Sequence, residues 1–188
     1  MKRLLVYGDS NVWGYIQGGA RLPEESLWPV ILAQKLGSEY RVIQEGLPGR
    51  TAGSVDHNEA CLDGQAHFEV ILRSALPLDF VIVALGTNDL KPIYKQTAAQ
   101  IADSLLWYKD FSTQVASKAK VLFVLPANFA VKEGGMRNEL RHEVIDEISG
   151  RLDERDYAVL DDIELADSVH FSVKGHHQVA DIVYLKLK

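Results

Sequence analysis

The sequence has little of several features that would point to particular protein classes. Its 188 residues include one cysteine, Cys61, so no disulfide can form within the chain, which favours a reducing compartment. We interpret Cys61 as a small core residue. Basic residues are the minority, with 20 Lys and Arg against 26 Asp and Glu. The resulting net charge of −6 argues against a nucleic-acid partner.

Long hydrophobic runs are also missing. The apolar stretch after Lys2 and Arg3 ends at Tyr7, too early for a secretory signal, and no later stretch reaches membrane-spanning length. We therefore expect a protein that starts at Met1, works in the cytoplasm and has no membrane partner. Because repeats, low-complexity tracts and long linkers are absent too, the length predicts a single domain over residues 1–188.

Short β-type runs alternate with longer helical patterns along the chain. Three runs, LLVY, FVIVAL and VLFVL, are continuously apolar, as is typical of parallel strands covered on both faces. The predicted strands are 3–7, 40–44, 80–85, 120–125 and 157–160, and the predicted helices are 27–36, 58–74, 97–117, 138–154 and 173–187. The alternation predicts an α/β fold, a three-layer α/β/α sandwich around a five-stranded parallel sheet of flavodoxin-like order 2-1-3-4-5.

Polar segments follow four of these strands or lie beyond them. They are GDS at 8–10, EGLPGRT at 45–51, GTND at 86–89 and DSVHFS at 167–172. Acyl transfer by a serine needs a nucleophile, a base, a group that orients the base and donors for the oxyanion. Ser10, His170 and Asp167 supply the first three, and Gly49 and Asn88 are candidate donors. Each segment alone is weak evidence, because capping serines and turn aspartates are common.

Together and in this order, the segments resemble the SGNH, or GDSL-type, hydrolase family. The serine, glycine, asparagine and histidine of that name correspond to Ser10, Gly49, Asn88 and His170. The stretches SNVWGY, EGLPGRTA and ALGTNDLK look closest to the arylesterase and acyltransferase branch. Two positions depart from the pattern, since the first segment reads GDSN where the family often has GDSL, and the last reads DSVH where a glycine commonly follows the aspartate.

The resemblance implies a serine esterase that cleaves short-chain acyl esters through an acyl-enzyme and could also transfer acyl groups to alcohols. Ser10, Asp167 and His170 would be catalytic, and Ser10, Gly49 and Asn88 would form the oxyanion hole. No metal or organic cofactor would be needed. The substrate would be a small-molecule ester, and the chain could form a homo-oligomer.

Other readings of the same residues stay open at this point. The site would equally serve a carbohydrate acetylesterase, a thioesterase or a lysophospholipase. A non-catalytic flavodoxin-like module could instead bind a small anion through Ser10, Thr87 and helix N-termini.

Aromatic and acidic residues near the segments are candidates for substrate binding. Trp13 and Asp9 are candidates, although for Asp9, as for Asp89, we favour a role in pinning loops through backbone N–H groups. Trp13, Tyr15 and Trp28 could form a substrate wall or simply be core. Trp28 is better explained as core. Bulky residues after three of the segments predict a crowded pocket that prefers acetyl to longer acyl groups. These residues are Trp13, Leu90, Pro92, Ile93, Tyr94 and Phe171.

The histidines outside the segments do not predict a metal site. His57, Cys61 and His67 are too loosely spaced for zinc, and in the helix at 138–154 a His142-Glu143 pair lacks the second histidine of a zinc-protease motif and faces solvent. The helical spacing also places Arg141, Glu143, Glu147 and Arg151 on the solvent side. His176 and His177 are interpreted as a surface pair.

Overall fold

Five parallel strands form the sheet. The structure is a computed structural model that describes residues 1–56, 59–129 and 138–188. The strands are β1 (Lys2–Gly8), β2 (Tyr40–Gly46), β3 (Phe80–Ala84), β4 (Lys120–Val124) and β5 (Tyr157–Ala158). Their order in the sheet is β2-β1-β3-β4-β5 and every pair is parallel. The predicted topology is therefore confirmed, with β5 shorter than expected.

Six α-helices lie in the described parts of the chain. They are α1 (Ser10–Trp13), α2 (Trp28–Leu36), α3 (Gly64–Ala75), α4 (Ala98–Val115), α5 (Asn138–Ser149) and α6 (Val173–Lys186). α4 begins where predicted, because Thr97 and Gln100 form a reciprocal capping box. α3 begins later than predicted, since the Asp63 carboxylate accepts the N–H groups of Gln65 and Ala66 and so caps it.

Apolar residues cover both faces of the sheet, which gives the predicted three layers. On one face, residues such as Leu5 and Tyr7 pack with α3, α4 and α5. On the other, Leu4 and Val6 pack with α2 and α6, where Trp28 is core as predicted. The alternation within β1 explains why the run is apolar throughout, because each successive side chain meets a different helical layer.

The structure contradicts the predicted exposure of Arg141 and the predicted burial of Cys61. Arg141 of α5 is fully buried, because its guanidinium donates to the carbonyl oxygens of Pro126 and Leu160 and pairs with the Asp161 carboxylate at 2.8 Å. These acceptors lie just after the ends of β4 and β5, outside the strands of the sheet. Cys61, predicted as core, is exposed.

No helix in the described ranges is both long enough and apolar enough to cross a membrane.

Candidate active site

The carboxyl end of β1 presents the predicted nucleophile. Ser10 is the first residue of α1, and the Asp9 carboxylate caps this helix by accepting the Asn11 N–H at 2.9 Å. Gly8 permits the tight strand-to-helix turn, because a Cβ there would lie 2.3 Å from the Val12 side chain and 2.7 Å from the Ala84 carbonyl oxygen. Ser10 is 7% exposed, so its surroundings are largely protein.

The loop after β2 lies against the same edge. Gly49 has a φ of 86°, a left-handed conformation that favours glycine. The buried Arg50 guanidinium donates to the Gly8 carbonyl oxygen at 2.9 Å and stacks 4.1 Å from the centroid of the Tyr7 ring. The sequence analysis missed this role of Arg50, which fastens the Gly49 loop to the end of β1.

The segment after β3 holds that loop from the other side. The Asn88 amide donates to the Arg50 carbonyl oxygen at 3.0 Å. The buried Asp89 carboxylate accepts the N–H groups of three consecutive loop residues and the Ser54 hydroxyl. Burial raises the pKa of Asp89, and those same bonds oppose the increase. The loop-pinning prediction for Asp89 is confirmed.

Three donors have the potential to serve an oxyanion at this edge. Within the described residues, the N–H groups of Ser10 and Gly49 have no hydrogen-bond acceptor. The Asn88 amide has two N–H groups, of which the carbonyl oxygen of Arg50 takes one.

The predicted base and its orienter form a tight pair in the loop before α6. His170 Nδ1 lies 2.8 Å from Asp167 Oδ2, while Asp167 Oδ1 accepts the N–H groups of Val169 and His170. Partial burial alone would raise the pKa of Asp167, but these bonds outweigh it and lower the pKa below its usual value. Ser168, which replaces a common glycine, does not adopt a positive φ, so the turn needs no glycine there.

Asn11 joins the loop that carries His170 to α1, the helix that begins at Ser10. Its side-chain amide donates to the Val169 carbonyl oxygen at 3.3 Å, and its side-chain oxygen accepts the Phe171 N–H at 2.9 Å. These bonds bring Ser10 and His170 to one edge of the sheet. The sequence signal for this role was the asparagine that stands where the family motif has leucine.

An aromatic wall formed by Trp13 and Tyr15 lies beside the predicted base. The Tyr15 ring is 4.5 Å from the His170 imidazole, and the Trp13 ring is 6.4 Å from Tyr15. The Arg21 guanidinium lies over Trp13, and its Nε donates to the Trp13 carbonyl oxygen at 2.7 Å. Both aromatic residues are partly exposed.

Part of the predicted crowding at the acyl pocket is wrong. Leu90 and Phe171 are 0% and 4% exposed and belong to the core, since each packs under a sheet face rather than into the mouth. Ile93 is 72% exposed. A small cavity of about 20 Å³ beside Asp9 and Thr87 is too small for an acyl chain.

Two titratable groups near the site are buried. Burial raises the pKa of Asp9 to about 6, opposed by the Asn11 N–H and the charge of His170. Asp9 is 2% exposed and pins α1, which leaves it little surface for a substrate. His176, predicted to be on the surface, is 1% exposed and its Nδ1 accepts the Trp28 N–H at 3.2 Å; His177 is exposed.

Metal ligands are not grouped in the parts of the chain that the structure describes, where no three His, Cys, Asp or Glu side chains are placed to hold an ion. His57 lies outside the described residues. His142 and Glu143 face solvent, as predicted. A cavity of about 600 Å³ lies at the opposite edge of the sheet, where Phe80 and Lys120 begin their strands, and contains none of the predicted site residues.

The sequence and the fold were compared with those of known proteins. The model of the GDSL-like lipase/acylhydrolase family matches residues 6–178. A comparison with curated proteins finds no match.

Solved structures resemble the whole chain. An aryl esterase from M. smegmatis is 29% identical, with a TM-score of 0.84 over 100% of this chain and 98% of that one. A carbohydrate acetylesterase from Sinorhizobium meliloti is 30% identical, with a TM-score of 0.84 over 98% and 99%. A carbohydrate acetylesterase family member from the same organism is 27% identical, with a TM-score of 0.85 over 100% and 97%. Because the family match spans all four segments of the site, the chain belongs to the GDSL-like lipase/acylhydrolase family and is a serine ester hydrolase.

Proposed function

We propose that Ser10 is the nucleophile, His170 the general base and Asp167 its orienter, in a hydrolase of short-chain acyl esters. The observation that carries the proposal is the Asp167–His170 pair, held at 2.8 Å in a loop that is hydrogen-bonded to the residue after Ser10. A carboxylate on Nδ1 fixes the tautomer of the imidazole and leaves Nε2 free to accept a proton.

The reaction then proceeds in two halves. Ser10 Oγ attacks the ester carbonyl carbon while His170 Nε2 takes its proton. The tetrahedral intermediate collapses, the carbon–oxygen bond of the leaving alcohol breaks, and His170 returns the proton to that alcohol. Water, deprotonated by His170, next attacks the acyl-enzyme; the bond between the acyl carbon and Ser10 Oγ breaks, the acid leaves, and His170 returns the proton to Oγ.

The oxyanion of each intermediate would be bound by the N–H groups of Ser10 and Gly49 and by the Asn88 amide. Two of these donors are backbone groups, whose direction is set by α1 and by the left-handed Gly49. Because the loop is pinned by Asp89 and Arg50 before any substrate arrives, the donors need little reorganisation during the reaction, which is the main source of such stabilisation.

The substrate we propose is an acetyl or other short acyl ester of an alcohol with a flat face, such as a sugar or a phenol. The leaving alcohol receives its proton from His170, so it must lie beside that imidazole, where Tyr15 and Trp13 form the aromatic wall. Related structures are named as carbohydrate acetylesterases and an aryl esterase. A direct contact of substrate with Asp9 stays a prediction, as do acyl transfer to alcohols, a homo-oligomer and a cytoplasmic location.

Labelling by a fluorophosphonate tests the nucleophile. Wild-type protein should be labelled stoichiometrically at Ser10 and should hydrolyse p-nitrophenyl acetate, whereas Ser10→Ala should do neither. Ser38→Ala, which removes an exposed serine, is the matched control and should behave as wild type. Labelling at another residue, or none, would show that Ser10 is not activated.

Acyl-chain selectivity tests the proposed substrate. We expect kcat/KM to fall from p-nitrophenyl acetate through butyrate to octanoate, because the cavity of about 20 Å³ beside Asp9 and Thr87 cannot take up added methylenes, each of which would contribute roughly 0.8 kcal/mol if buried. Rates that rise with chain length would assign the protein a longer-chain ester instead.

A further inference from the structure

Asn11 occupies an unusual place in the molecule for a residue next to a nucleophile. Its side chain is nearly buried, at 8% exposure, and both ends of the carboxamide are used. The Nδ2 group donates to the Val169 carbonyl oxygen and Oδ1 accepts the Phe171 N–H. The leucine of the GDSL motif could make neither bond.

The two bonded backbone groups flank His170. Asp167 already fixes the imidazole relative to its own loop, through the ring nitrogen and two backbone N–H groups. Those contacts are all internal to residues 167–170, so they do not set the distance between this loop and α1. The side-chain amide of Asn11 sets this distance, because Asn11 follows Ser10 in α1 and its amide bonds to both sides of His170.

We propose that Asn11 is a positioning residue that holds His170 at its working distance from Ser10. The inference rests on the function proposed above. It requires a side chain that donates at one end and accepts at the other, which explains an amide at this position. Phe171 is 4% exposed, so its N–H finds no ready replacement acceptor in water.

The consequence for catalysis is specific. Proton transfer between Ser10 Oγ and His170 Nε2 needs hydrogen-bond distance, and a displacement of about 1 Å can cost about 10²-fold in rate. Substrate binding at the aromatic wall does not need that distance. Loss of the Asn11 bonds should therefore lower kcat and leave KM nearly unchanged.

Asn11→Leu is the principal variant, and Gln44→Leu is its matched control. The Gln44 side chain donates to the Val12 carbonyl oxygen at 2.7 Å, so its loss also removes a bond to α1 but leaves the His170 loop untouched. We expect kcat for p-nitrophenyl acetate to fall about 10²-fold in Asn11→Leu with KM within about threefold, and both constants of Gln44→Leu to stay within about threefold of wild type. Fluorophosphonate labelling should slow in parallel with kcat.

Amide hydrogen exchange at Phe171 provides a readout that does not depend on activity. Its protection should be lost in Asn11→Leu and kept in Gln44→Leu, with the circular dichroism of both variants unchanged. If Asn11→Leu does not fold, the isosteric Asn11→Asp replaces it, because an aspartate keeps the acceptor but repels the Val169 carbonyl oxygen; its kcat should fall in the same way.

The outcomes separate the two proposals. A wild-type protein that is neither labelled nor active contradicts the proposed function. An active wild type whose Asn11 variant keeps kcat, changes only KM, or loses no more than Gln44→Leu overturns the positioning role.

Discussion

At the scale of single residues, Asn88 combines an observed structural bond with a proposed chemical role. One N–H of its amide donates to the Arg50 carbonyl oxygen, and we propose that the other binds the oxyanion. Since an oxyanion donor acts mainly in the transition state, Asn88→Ala should lower kcat by about 10²–10³-fold and raise KM much less.

Steady-state kinetics with p-nitrophenyl acetate measures this split. The control is Ser54→Ala, which removes a bond to Asp89 from the same pinned loop and should reduce stability without a comparable loss of kcat. An Asn88→Ala effect confined to KM would mean that the amide binds ground-state substrate.

Asp9 carries a second prediction at this scale. Its pKa of about 6 lies above the ordinary value of 3.8, so the folded state holds the proton more tightly than the unfolded state. The free energy of unfolding therefore falls as the pH rises from about 4 to 6 and is level above that range. Asp9→Asn keeps the acceptor for Asn11 without the charge, and its stability relative to wild type should rise by about 3 kcal/mol across this window.

Urea unfolding at pH 4.5 and pH 7 checks this sign. Asp110→Asn, which changes an exposed carboxylate, is the control. A variant that becomes relatively less stable toward pH 7 would mean that the ionised Asp9 is favoured by the fold.

The spacing of the polar segments predicted that the proposed site residues lie at one edge of the sheet, whereas the sequence did not predict which polar side chains are buried. Ser10 and His170 lie beyond strands whose order in the sheet is already predicted by the alternation of strands and helices. Arg141 was predicted to be exposed because the spacing of apolar residues describes only the helix that contains it. The carbonyl oxygens that accept its hydrogen bonds in the interior come from loops after β4 and β5. His176 was missed for the same reason, since its partner lies 148 residues away in the chain.

At the scale of elements, α2 and α6 meet through a histidine. His176 Nδ1 accepts the N–H of Trp28, the first residue of α2, so it must be unprotonated to make the bond. Burial, followed by the charge of His177, lowers its pKa to about 4. The stability that this contact contributes is complete above pH 6.5 and is lost as the pH falls toward 4, because the unfolded state then binds more protons.

His176→Asn tests this docking. Asparagine places an oxygen near the position of Nδ1 but does not titrate, so the variant should be less stable at pH 7 yet lose about 3 kcal/mol less than wild type between pH 6.5 and pH 4. Thermal unfolding across that range provides the measurement, with the exposed His177→Asn as control. Parallel curves for wild type and His176→Asn would exclude a titrating His176.

Helix boundaries show what local sequence can and cannot determine at this scale. The capping box of Thr97 and Gln100 is written in adjacent residues, and α4 begins there as predicted. The helical pattern of apolar residues predicted one helix over 58–74, but Asp63 lies within that range, and its side chain can cap a helix that starts after it. The spacing of apolar residues alone does not decide whether Asp63 lies inside the helix or caps it, because an aspartate can occupy either position.

At the scale of the whole molecule, the buried titrations of Asp9 and His176 act in opposite directions. Asp9 makes the fold less stable as the pH rises between about 4 and 6, and His176 makes it more stable over nearly the same range. Wild-type stability should therefore change little from these two groups between pH 4 and pH 6.5, provided that they titrate independently.

The double variant Asp9→Asn/His176→Asn tests this balance. We expect its unfolding free energy to follow the wild-type pH profile in shape, while each single variant departs from it in the opposite direction. Urea unfolding at four pH values between 4 and 7 is sufficient. A double variant whose profile follows only one of the single variants would show that one titration does not occur.

The bonds from Asn11 to residues 169 and 171 also have a consequence for how the protein is made. They join positions 158 and 160 residues apart, so Ser10 is synthesised long before His170. A nascent chain that has released β1 to β4 can already shape the loop around Gly49, yet it has no histidine beside Ser10. With His170 as the proposed base, ester hydrolysis begins only after residues 167–171 have been synthesised and have docked on α1, and turnover of a chromogenic ester during translation would time that docking.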